Sequence, residues 1–469
     1  VTQEGMKDLD KKHIHFIGIA GMGMSAIARI MLERGYTISG SDLRSTELTE
    51  NLQKMGATIY LGHSSEHLDG ADIVVYSSAV PRDNPEIRRA EEANIELLHR
   101  ADALARIINE STGLAVAGAH GKTTTTSMLG LTLAACGLDP TVMVGAFSDD
   151  LAGNARLGRG PYVVAEADES DYSFLKYEPY GTIITNIDPD HLENYDGDYG
   201  KLIVAYKEFL DKVRPEGFSI LCTDDPILRD MHQEAKHKSF SYGFNPQADY
   251  RALNLEFTPE CSRFDFCYRG EKLAEVTLSV TGEHNVLNAL SVMATGHQLG
   301  IDTQCLARAI RQFHGARRRF QRIGEINGIL VVDDYAHHPT EIRVTLQTAK
   351  LQGKDRVVAF FQPKRYTRTK FLFKEFTEAF YDTDVLILSE IYPFGEDPIP
   401  GITSEALKEA IEEKIGKEVI LLPYRHSLIV QKLLEILRPG DVAMIMGAGD
   451  DIADLARKLY IALKTQETK

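Results

Sequence analysis

Short apolar segments of strand length alternate with longer helical segments along most of this 469-residue chain. Strands that alternate with helices predict crossover units and parallel sheets, so the expected fold class is α/β. The alternation falls into three blocks, which we predict to be three domains, at residues 1–110, 111–321 and 322–469. Two alternating segments in the second block, at 249–257 and 263–268, predict antiparallel strands.

The charge balance limits the partners of the chain. Lys and Arg number 52 and Asp and Glu number 68, so the formal net charge is −16. Such a chain is a poor candidate for non-specific nucleic-acid binding and for docking on an anionic membrane. Its polar first residues and the lack of a run of about 18 apolar residues predict neither a signal peptide nor a membrane span. Five scattered cysteines predict reduced thiols, and a cytoplasmic location follows as an expectation.

The first predicted strand spans residues 13–19, and a glycine-rich turn follows it. Gly21, Gly23 and Ala26 fit the pattern G-x-G-x-x-A, and Asp42 ends the next strand about twenty residues later. Such a turn lets the backbone approach a pyrophosphate at a helix N-terminus. The turn therefore predicts a nucleotide diphosphate site, although the pattern alone fits NAD and a nucleotide sugar equally. The alternative is that the glycines serve only close strand–helix packing.

A second loop, Gly118-Ala-His-Gly-Lys122-Thr-Thr-Thr125, lies between a predicted strand and a predicted helix. Backbone N–H groups of such a loop cradle phosphates, the lysine neutralises them, and the adjacent hydroxyl can bind Mg²⁺. The first glycine stands three residues before Gly121, where the usual pattern places it five before. The strand–loop–helix context still predicts ATP binding.

Acidic and imidazole side chains follow two further strands. They occur in Glu166-Ala-Asp-Glu-Ser-Asp171 and in Asn186-Ile-Asp-Pro-Asp-His191. The carboxyl ends of parallel strands are where such sheets bind ligands, and carboxylates suit Mg²⁺. These segments predict a Mg²⁺ site beside the phosphates. The alternatives are a solvated acidic loop and a structural histidine.

These motifs resemble those that recur, in this order, in Mur ligases. Three later segments complete the resemblance, which spans about residues 13–460: Gly282-Glu-His-Asn-Val-Leu-Asn288, Gly315-Ala-Arg-Arg-Arg-Phe320 and Asp333-Asp-Tyr-Ala-His-His-Pro339. It implies a Rossmann-like N-terminal domain for a UDP-sugar, a central P-loop ATPase-like domain, and a Rossmann-like C-terminal domain for the amino acid. The implied activity is ATP-dependent joining of L-alanine to the lactyl carboxylate of UDP-N-acetylmuramate through an acyl phosphate, giving ADP and phosphate, in peptidoglycan precursor synthesis.

The resemblance also implies roles for individual residues. The UDP-sugar site would contain Gly18, Gly21, Met22, Gly23, Ser25, Asp42, His63, Ser77 and Ser78. The ATP site would contain Gly118, Ala119, His120, Gly121, Lys122, Thr123, Thr124, Asn285, Asn288 and Arg319. Mg²⁺ would be held by Thr123, Glu166 and His191. The amino-acid site would contain Tyr335, His337, Arg365 and Arg368, and catalysis would use Lys122, His337, Arg365 and Arg368.

Several points stay open at the level of the sequence. The chain would alternatively add another amino acid, recycle murein tripeptide, or be a nucleotide-binding regulator without ligase activity. The oligomeric state is a monomer or a homodimer, and the group that accepts the proton of the alanine amine is unassigned. Several Mur ligases carry a carbamoylated lysine in this region. Tyr206 stands at about the expected spacing with Lys207 adjacent, so that role is not assigned.

Overall fold

The computed structural model describes residues 12–148 and 153–467. Its first sheet contains strands β1 (His13–Ile17), β2 (Thr37–Asp42), β3 (Thr58–Leu61), β4 (Ile73–Tyr76) and β5 (Glu96–His99). The helices are α1 (Met22–Glu33), α2 (Glu47–Lys54), α3 (Pro85–Glu92) and α4 (Arg100–Asn109). All strands are parallel, and their order in the sheet is β3-β2-β1-β4-β5. The first three strands are added toward one edge and the last two toward the other, so the strand order reverses between β1 and β4. Ligands of such sheets bind at this switch point, outside the carboxyl ends of the strands.

The second group of strands carries the phosphate loop. The strands are β6 (Thr112–Ala117), β7 (Thr141–Ser148), β8 (Gly153–Arg156), β9 (Tyr162–Glu166), β10 (Gly181–Ile184), β11 (Phe218–Cys222) and β12 (Lys238–Gly243). The helices are α5 (Lys122–Ala135), α6 (Tyr199–Asp211) and α7 (Pro226–Glu234). The strands lie in the order β12-β11-β10-β6-β9-β7-β8, and the pairs are parallel except for β7 with β8. The loops after β6, β9 and β10 therefore open on the same edge.

A meander and two helices follow. Strands β13 (Tyr250–Phe257), β14 (Ser262–Tyr268) and β15 (Glu271–Leu278) are neighbours in that order, and β14 and β15 pair antiparallel. Helices α8 (Glu283–Gln298) and α9 (Thr303–Ile310) come next. The antiparallel pairing predicted for 263–268 is confirmed by β14, and the segment predicted at 249–257 forms the neighbouring strand β13.

The last sheet contains β16 (Gln321–Ile326), β17 (Ile329–Asp334), β18 (Arg356–Phe361), β19 (Val385–Ser389), β20 (Val419–Leu422) and β21 (Asp441–Met446). Its helices are α10 (Pro339–Lys350), α11 (Tyr366–Phe371), α12 (Phe373–Glu378), α13 (Ser404–Ile415), α14 (His426–Ile436) and α15 (Asp450–Glu467). The order is β16-β17-β21-β18-β19-β20, with only β16 and β17 antiparallel among these pairs. Successive residues of the central strands are buried on opposite faces of this sheet, each against a layer of helices. Val332 belongs to the apolar cluster on one face and Val331 to the cluster on the other.

The described residues form two compact units. Unit 1 contains the chain up to Ile187 with Gly200–Tyr250 and Ser291–Ala309, and unit 2 contains Asp188–Tyr199, Arg251–Leu290 and the chain from Ile310. The expected fold class is confirmed: α/β, with Rossmann-like first and last sheets and a phosphate-loop sheet that comes between them in the sequence. The domain boundaries at 110 and 321 stay predictions.

Two further features concern the chain as a whole. In the part of the chain that the structure describes, no helix is long and apolar enough to cross a membrane. Cys136, at the end of α5, and Cys305, on α9, form a disulfide with their Cα atoms 6.0 Å apart. The prediction of reduced thiols was therefore wrong for this pair. The two cysteines are 169 residues apart in the sequence, so no local spacing pattern predicts their contact.

Candidate active site

The glycine turn after β1 is tied to the end of β2 in unit 1. Gly18 has φ +83°, and its N–H donates to the Ser41 carbonyl oxygen at 2.8 Å. The Ala20 N–H donates to Asp42 Oδ2 at 3.0 Å. The predicted site residues Gly18 and Asp42 are therefore brought together, and the Asp42 carboxylate helps to hold the turn.

Helix α1 begins at the other side of the same turn. Ser25 Oγ donates to the Gly21 carbonyl oxygen at 2.9 Å and accepts from Asn154 Nδ2 at 2.8 Å. Asn154 Nδ2 also donates to the Met22 carbonyl oxygen at 2.6 Å. A Cβ on Gly23 would lie 3.0 Å from Arg100 Nη1, so this glycine leaves room for a guanidinium beside the helix N-terminus. Asn154 and Arg100 were not predicted, because each is distant from the motif in sequence.

The remaining predicted UDP-sugar residues follow neighbouring strands. Ser77 and Ser78 come directly after β4, and a Cβ on Gly18 would lie 3.4 Å from Ser77 Oγ. Ser78 Oγ lies 2.9 Å from His99 Nε2. His63 follows β3, and its Nδ1 lies 2.9 Å from Ser41 Oγ. The predicted set therefore gathers at the carboxyl edge of the first sheet.

The phosphate loop in unit 1 is held by the residues that follow β10. Gly118 has φ +128°, and a Cβ there would collide with Thr185 Oγ1. The His120 N–H donates to Asn186 Oδ1 at 2.9 Å, and Asn186 Nδ2 donates back to the His120 carbonyl oxygen at 3.0 Å. Gly121, with φ +85°, then starts α5. The loop is thus preorganised before any phosphate binds.

Lys122 forms an ion pair that was not predicted. Its ammonium Nζ lies 2.9 and 2.8 Å from the two carboxylate oxygens of Glu169, and it donates to the Gly118 carbonyl oxygen at 2.6 Å. Glu169 is only 1% exposed, so it is not part of a solvated acidic loop. Burial alone would lower the pKa of Lys122, but Glu169 and neighbouring carboxylates raise it, so the lysine stays charged. Phosphate oxygens can replace or share these contacts.

Thr123 and Glu166 supply the predicted metal-binding oxygens of unit 1. The Thr123 hydroxyl is hydrogen-bonded to Glu166, whose Oε1 accepts the Gly145 N–H at 2.6 Å. Burial raises the pKa of Glu166. A hydroxyl and a carboxylate oxygen side by side are hard ligands, which fits Mg²⁺. His191 belongs to unit 2, so its share in a metal site stays a prediction.

The two predicted arginines of unit 2 are both engaged with protein carboxylates. Arg368 Nε and Nη2 lie 3.2 and 3.0 Å from Asp190 Oδ1, and both side chains are about nine-tenths buried. Arg365 Nε donates to Glu396 Oε1 at 2.6 Å, and its Nη1 donates to Glu193. Burial would raise the pKa of Asp190, but Arg368 and nearby histidines lower it. A substrate carboxylate would therefore have to share these guanidiniums.

The loop before β16 meets the start of α10. Arg319 Nη1 lies 3.2 Å from Glu341 Oε1, and its guanidinium carbon lies 5.4 Å from the Tyr335 ring centre. Asn285 and Asn288, on α8, are buried. Asn285 Nδ2 donates to the Thr281 carbonyl oxygen at 2.8 Å. Arg319, predicted for the ATP site, and Tyr335, predicted for the amino-acid site, are thus neighbours in unit 2.

Asp334, which was not predicted, organises that loop. Its Oδ2 accepts the Phe320 N–H at 2.7 Å, and its Oδ1 accepts the Ala336 N–H at 2.6 Å. Burial raises the pKa of this carboxyl group to about 6. Asp334 ends β17, the kind of position at which a site residue is expected, so its place in the sheet was an available signal.

His337 is present at the expected position but is a weak base. Its Nδ1 lies 3.0 Å from the Tyr335 carbonyl oxygen, and burial lowers the pKa of its imidazole to about 3. A carbonyl oxygen only accepts, so Nδ1 carries the hydrogen in this contact. The ring is neutral at physiological pH.

Tyr206 and Lys207, which stand at about the spacing of the carbamoylated lysine of several Mur ligases, lie on α6. Tyr206 is fully buried and its ring packs edge-on against Phe174, with centres 5.4 Å apart. Lys207 is half exposed, and its Nζ donates to Glu234 at 2.9 Å. Lys207 therefore points to the surface of unit 1.

Comparison with protein-family models explains this arrangement. Residues 13–112 match the Mur ligase family catalytic domain, residues 116–296 the Mur ligase middle domain, and residues 318–449 the glutamate ligase domain of Mur ligases. The chain belongs to the Mur ligase family. The resemblance of its motifs to those of Mur ligases is thereby confirmed.

Individual Mur ligases are similar over nearly the full length of the chain. The UDP-N-acetylmuramate–L-alanine ligase of Pelotomaculum thermopropionicum is 48% identical over 94% of this chain and 95% of its own. That of Symbiobacterium thermophilum is 43% identical over 98% and 96%. The solved UDP-N-acetylmuramate-alanine ligase of Thermotoga maritima is 30% identical, with a TM-score of 0.79 over 97% of this chain and 100% of its own. A murein peptide ligase of Psychrobacter arcticus is 25% identical, with a TM-score of 0.68 over 96% and 98%.

Proposed function

We propose that this Mur ligase joins L-alanine to the lactyl carboxylate of UDP-N-acetylmuramate, with ATP as the source of energy, in peptidoglycan precursor synthesis. The observation that carries the proposal is the convergence of Lys122, Thr123 and Glu166 at the start of α5. It occurs in a chain whose relatives at 43–48% identity carry the name of that ligase. The alternative, a nucleotide-binding regulator without ligase activity, does not explain why Lys122, Thr123 and Glu166 converge at the phosphate loop.

The first step activates a carboxylate. A carboxylate is a poor acylating agent, so one of its oxygens attacks the γ-phosphorus of ATP, the bond to ADP breaks, and an acyl phosphate forms. Phosphoryl transfer needs positioning and charge stabilisation more than covalent help from the enzyme. The Lys122 ammonium, held at the mouth of the loop by Glu169 and the Gly118 carbonyl oxygen, meets the phosphate charge. The backbone N–H groups at the start of α5, from Gly121 to Thr124, would complete the cradle.

Mg²⁺ is part of the proposal. Thr123 and Glu166 would hold the ion, and His191 is the further ligand that the family resemblance implies. The ion would offset the charge of the triphosphate as the γ-phosphoryl group moves. Because the Glu166 carboxylate is also anchored by the Gly145 N–H, its oxygens are fixed before the ion arrives.

The second step forms the amide. The neutral alanine amine attacks the acyl carbon, and phosphate leaves with the oxygen that it received from the carboxylate. The proton released from nitrogen needs an acceptor, and burial makes His337 a poor one because its pKa is about 3. We therefore assign His337 to positioning, with its Nδ1–H donated to the Tyr335 carbonyl oxygen. Arg365 and Arg368 would face the alanine carboxylate while they share the carboxylates of Glu193 and Asp190.

Two of the three proposed substrates, ATP and UDP-N-acetylmuramate, are nucleotides, so we propose a cytoplasmic location. A disulfide is unusual in that reducing compartment, and activity should therefore be measured with and without a thiol reductant.

The function is tested by phosphate release from the full chain with ATP, Mg²⁺ and UDP-N-acetylmuramate. The second substrate is varied among L-alanine, L-serine, glycine and murein tripeptide. The proposal predicts the highest kcat/KM with L-alanine. A higher kcat/KM with the tripeptide would instead favour the activity of the similar murein peptide ligase. Release that needs no amino acceptor, or no release, would contradict ligation.

A further inference from the structure

A fully buried carboxylate lies behind the carboxyl edge of the first sheet. Glu86 is the second residue of α3, and its side chain is 0% exposed. A hydroxyl and imidazoles surround it. Ser41 Oγ donates to Glu86 Oε2 at 2.6 Å, and His63 Nδ1 lies 2.9 Å from the same oxygen. His67 Nδ1 lies 2.8 Å from Oε1.

This carboxylate is ionised in the folded protein. Burial alone would raise the pKa of Glu86, but the His15 imidazole, with Nε2 3.5 Å from Oε1, and the hydrogen bonds of Ser41 and His67 lower it to about 2. An ionised carboxylate only accepts hydrogen bonds. Each group that faces Glu86 must therefore present a hydrogen.

The arrangement fixes the tautomer of His63. The single hydrogen of the Ser41 hydroxyl goes to Glu86 Oε2, so Ser41 Oγ offers only lone pairs to His63 Nδ1 at 2.9 Å. Nδ1 thus faces two acceptors and must carry a hydrogen. In a neutral imidazole the opposite nitrogen, Nε2, is then an acceptor. None of the residues in 12–148 or 153–467 hydrogen-bonds His63 Nε2, and the side chain is 18% exposed.

The position of His63 along the sheet edge points to the nucleoside. In sheets of this kind the pyrophosphate binds at the turn after the first strand and the ribose near the end of the second. Here the glycine turn follows β1, Asp42 ends β2, and His63 follows β3, which is the edge strand beside β2. A nucleoside diphosphate laid along this edge therefore directs its base toward His63.

We propose that Glu86 is a positioning residue that fixes His63 in the Nδ1–H tautomer and so presents Nε2 as an acceptor to the N3–H of uracil. The inference rests on the proposed function, since it takes the UDP-sugar as the ligand of this sheet. Uracil carries a hydrogen on N3 and cytosine does not, so the same contact selects UDP over CDP. His67, stacked on Tyr60 with ring centres 4.1 Å apart, anchors the other oxygen of Glu86.

Binding of UDP and CDP to the full chain, measured by calorimetry at about pH 8 where imidazoles are neutral, tests this assignment. Glu86→Gln removes the charge and replaces one of the two carboxylate oxygens by an N–H₂ group, so His63 is no longer held in the Nδ1–H tautomer by an ionised carboxylate. We expect the UDP affinity to fall about tenfold, the size of one lost hydrogen bond, with the CDP affinity unchanged. Glu92→Gln, an exposed change at the end of the same helix, should alter neither affinity.

Two further measurements separate positioning from folding. His63→Ala should lower the UDP-to-CDP ratio by the same factor, and Glu86→Gln should then add nothing in the double variant. The imidazole ¹⁵N shifts of His63, assigned by their loss in His63→Ala, should report a protonated Nδ1 in the wild type and a change of tautomer in Glu86→Gln.

Three results would each overturn the inference: an unchanged UDP-to-CDP affinity ratio in His63→Ala, an equal loss of UDP and CDP affinity in Glu86→Gln, or additive losses in the double variant. If the wild type ligates L-alanine but the UDP-to-CDP affinity ratio is the same in the Glu86 and His63 variants, only this inference fails. If it binds no UDP, the proposed function fails with it.

Discussion

At the scale of single residues, charged side chains in the site pair with partners far away in the sequence. Lys122 pairs with Glu169, 47 residues away, and Arg368 with Asp190, 178 residues away. The phosphate-loop motif predicted Lys122, and the resemblance to Mur ligases implied Arg368. They did not predict the buried carboxylates, because an isolated Asp or Glu in a sequence is typically solvated.

The Arg368–Asp190 pair leads to a test of the amino-acid site. Arg368→Ala leaves a buried carboxylate without its partner, so we expect the free energy of unfolding to fall by about 3–5 kcal/mol. If the guanidinium also binds alanine, the KM for L-alanine should rise far more than the KM for UDP-N-acetylmuramate. Steady-state kinetics and chemical denaturation measure both effects.

The double change Arg368→Ala with Asp190→Ala separates these two roles. Removing the orphaned charge should restore part of the stability, while the KM for L-alanine should stay high. Recovery of the KM together with the stability would mean that Arg368 serves only the fold.

At the scale of elements, the sequence predicted strands that are buried on both faces. β17, β18, β19 and β21 are runs of apolar residues between helical layers, and such a run indicates a strand from its residues alone. The short strands β3 and β5 give a weaker signal, because they have four residues each and are largely half-buried or exposed. Such strands are set by pairing with a neighbour, which a local pattern does not contain.

The phosphate loop is the element whose backbone matters most. We expect Gly118→Ala to abolish measurable ATP binding, because a Cβ there meets Thr185 Oγ1 and the Asn186 backbone and displaces the loop. Gly137→Ala is a matched control at the other end of α5. Its φ is +85° and a Cβ there meets nothing within 4 Å, so it should cost about 1–2 kcal/mol of stability and leave ATP affinity unchanged. Calorimetric titration with ATP and thermal unfolding of both variants measure this, and normal ATP affinity in Gly118→Ala would contradict the loop assignment.

At the scale of the whole molecule, three α/β blocks predicted from the alternation correspond to three groups of sheet and helix, and the net charge of −16 is compatible with a nucleotide enzyme. Cations gather at Lys122, Arg317–Arg319 and Lys364–Arg368, within motifs expected to meet anionic substrates. The disulfide of Cys136 with Cys305 lay beyond prediction, because it depends on the packing of α5 and α9.

The central claim is that this Mur ligase activates a carboxylate as an acyl phosphate before alanine attacks it. UDP-N-acetylmuramate labelled with ¹⁸O in both lactyl carboxylate oxygens, turned over with ATP, Mg²⁺ and L-alanine, tests this directly. One labelled oxygen should appear in each released phosphate, and the other should stay in the new amide, as read by mass spectrometry. Phosphate that carries no ¹⁸O, while the alanine adduct forms, would contradict the account.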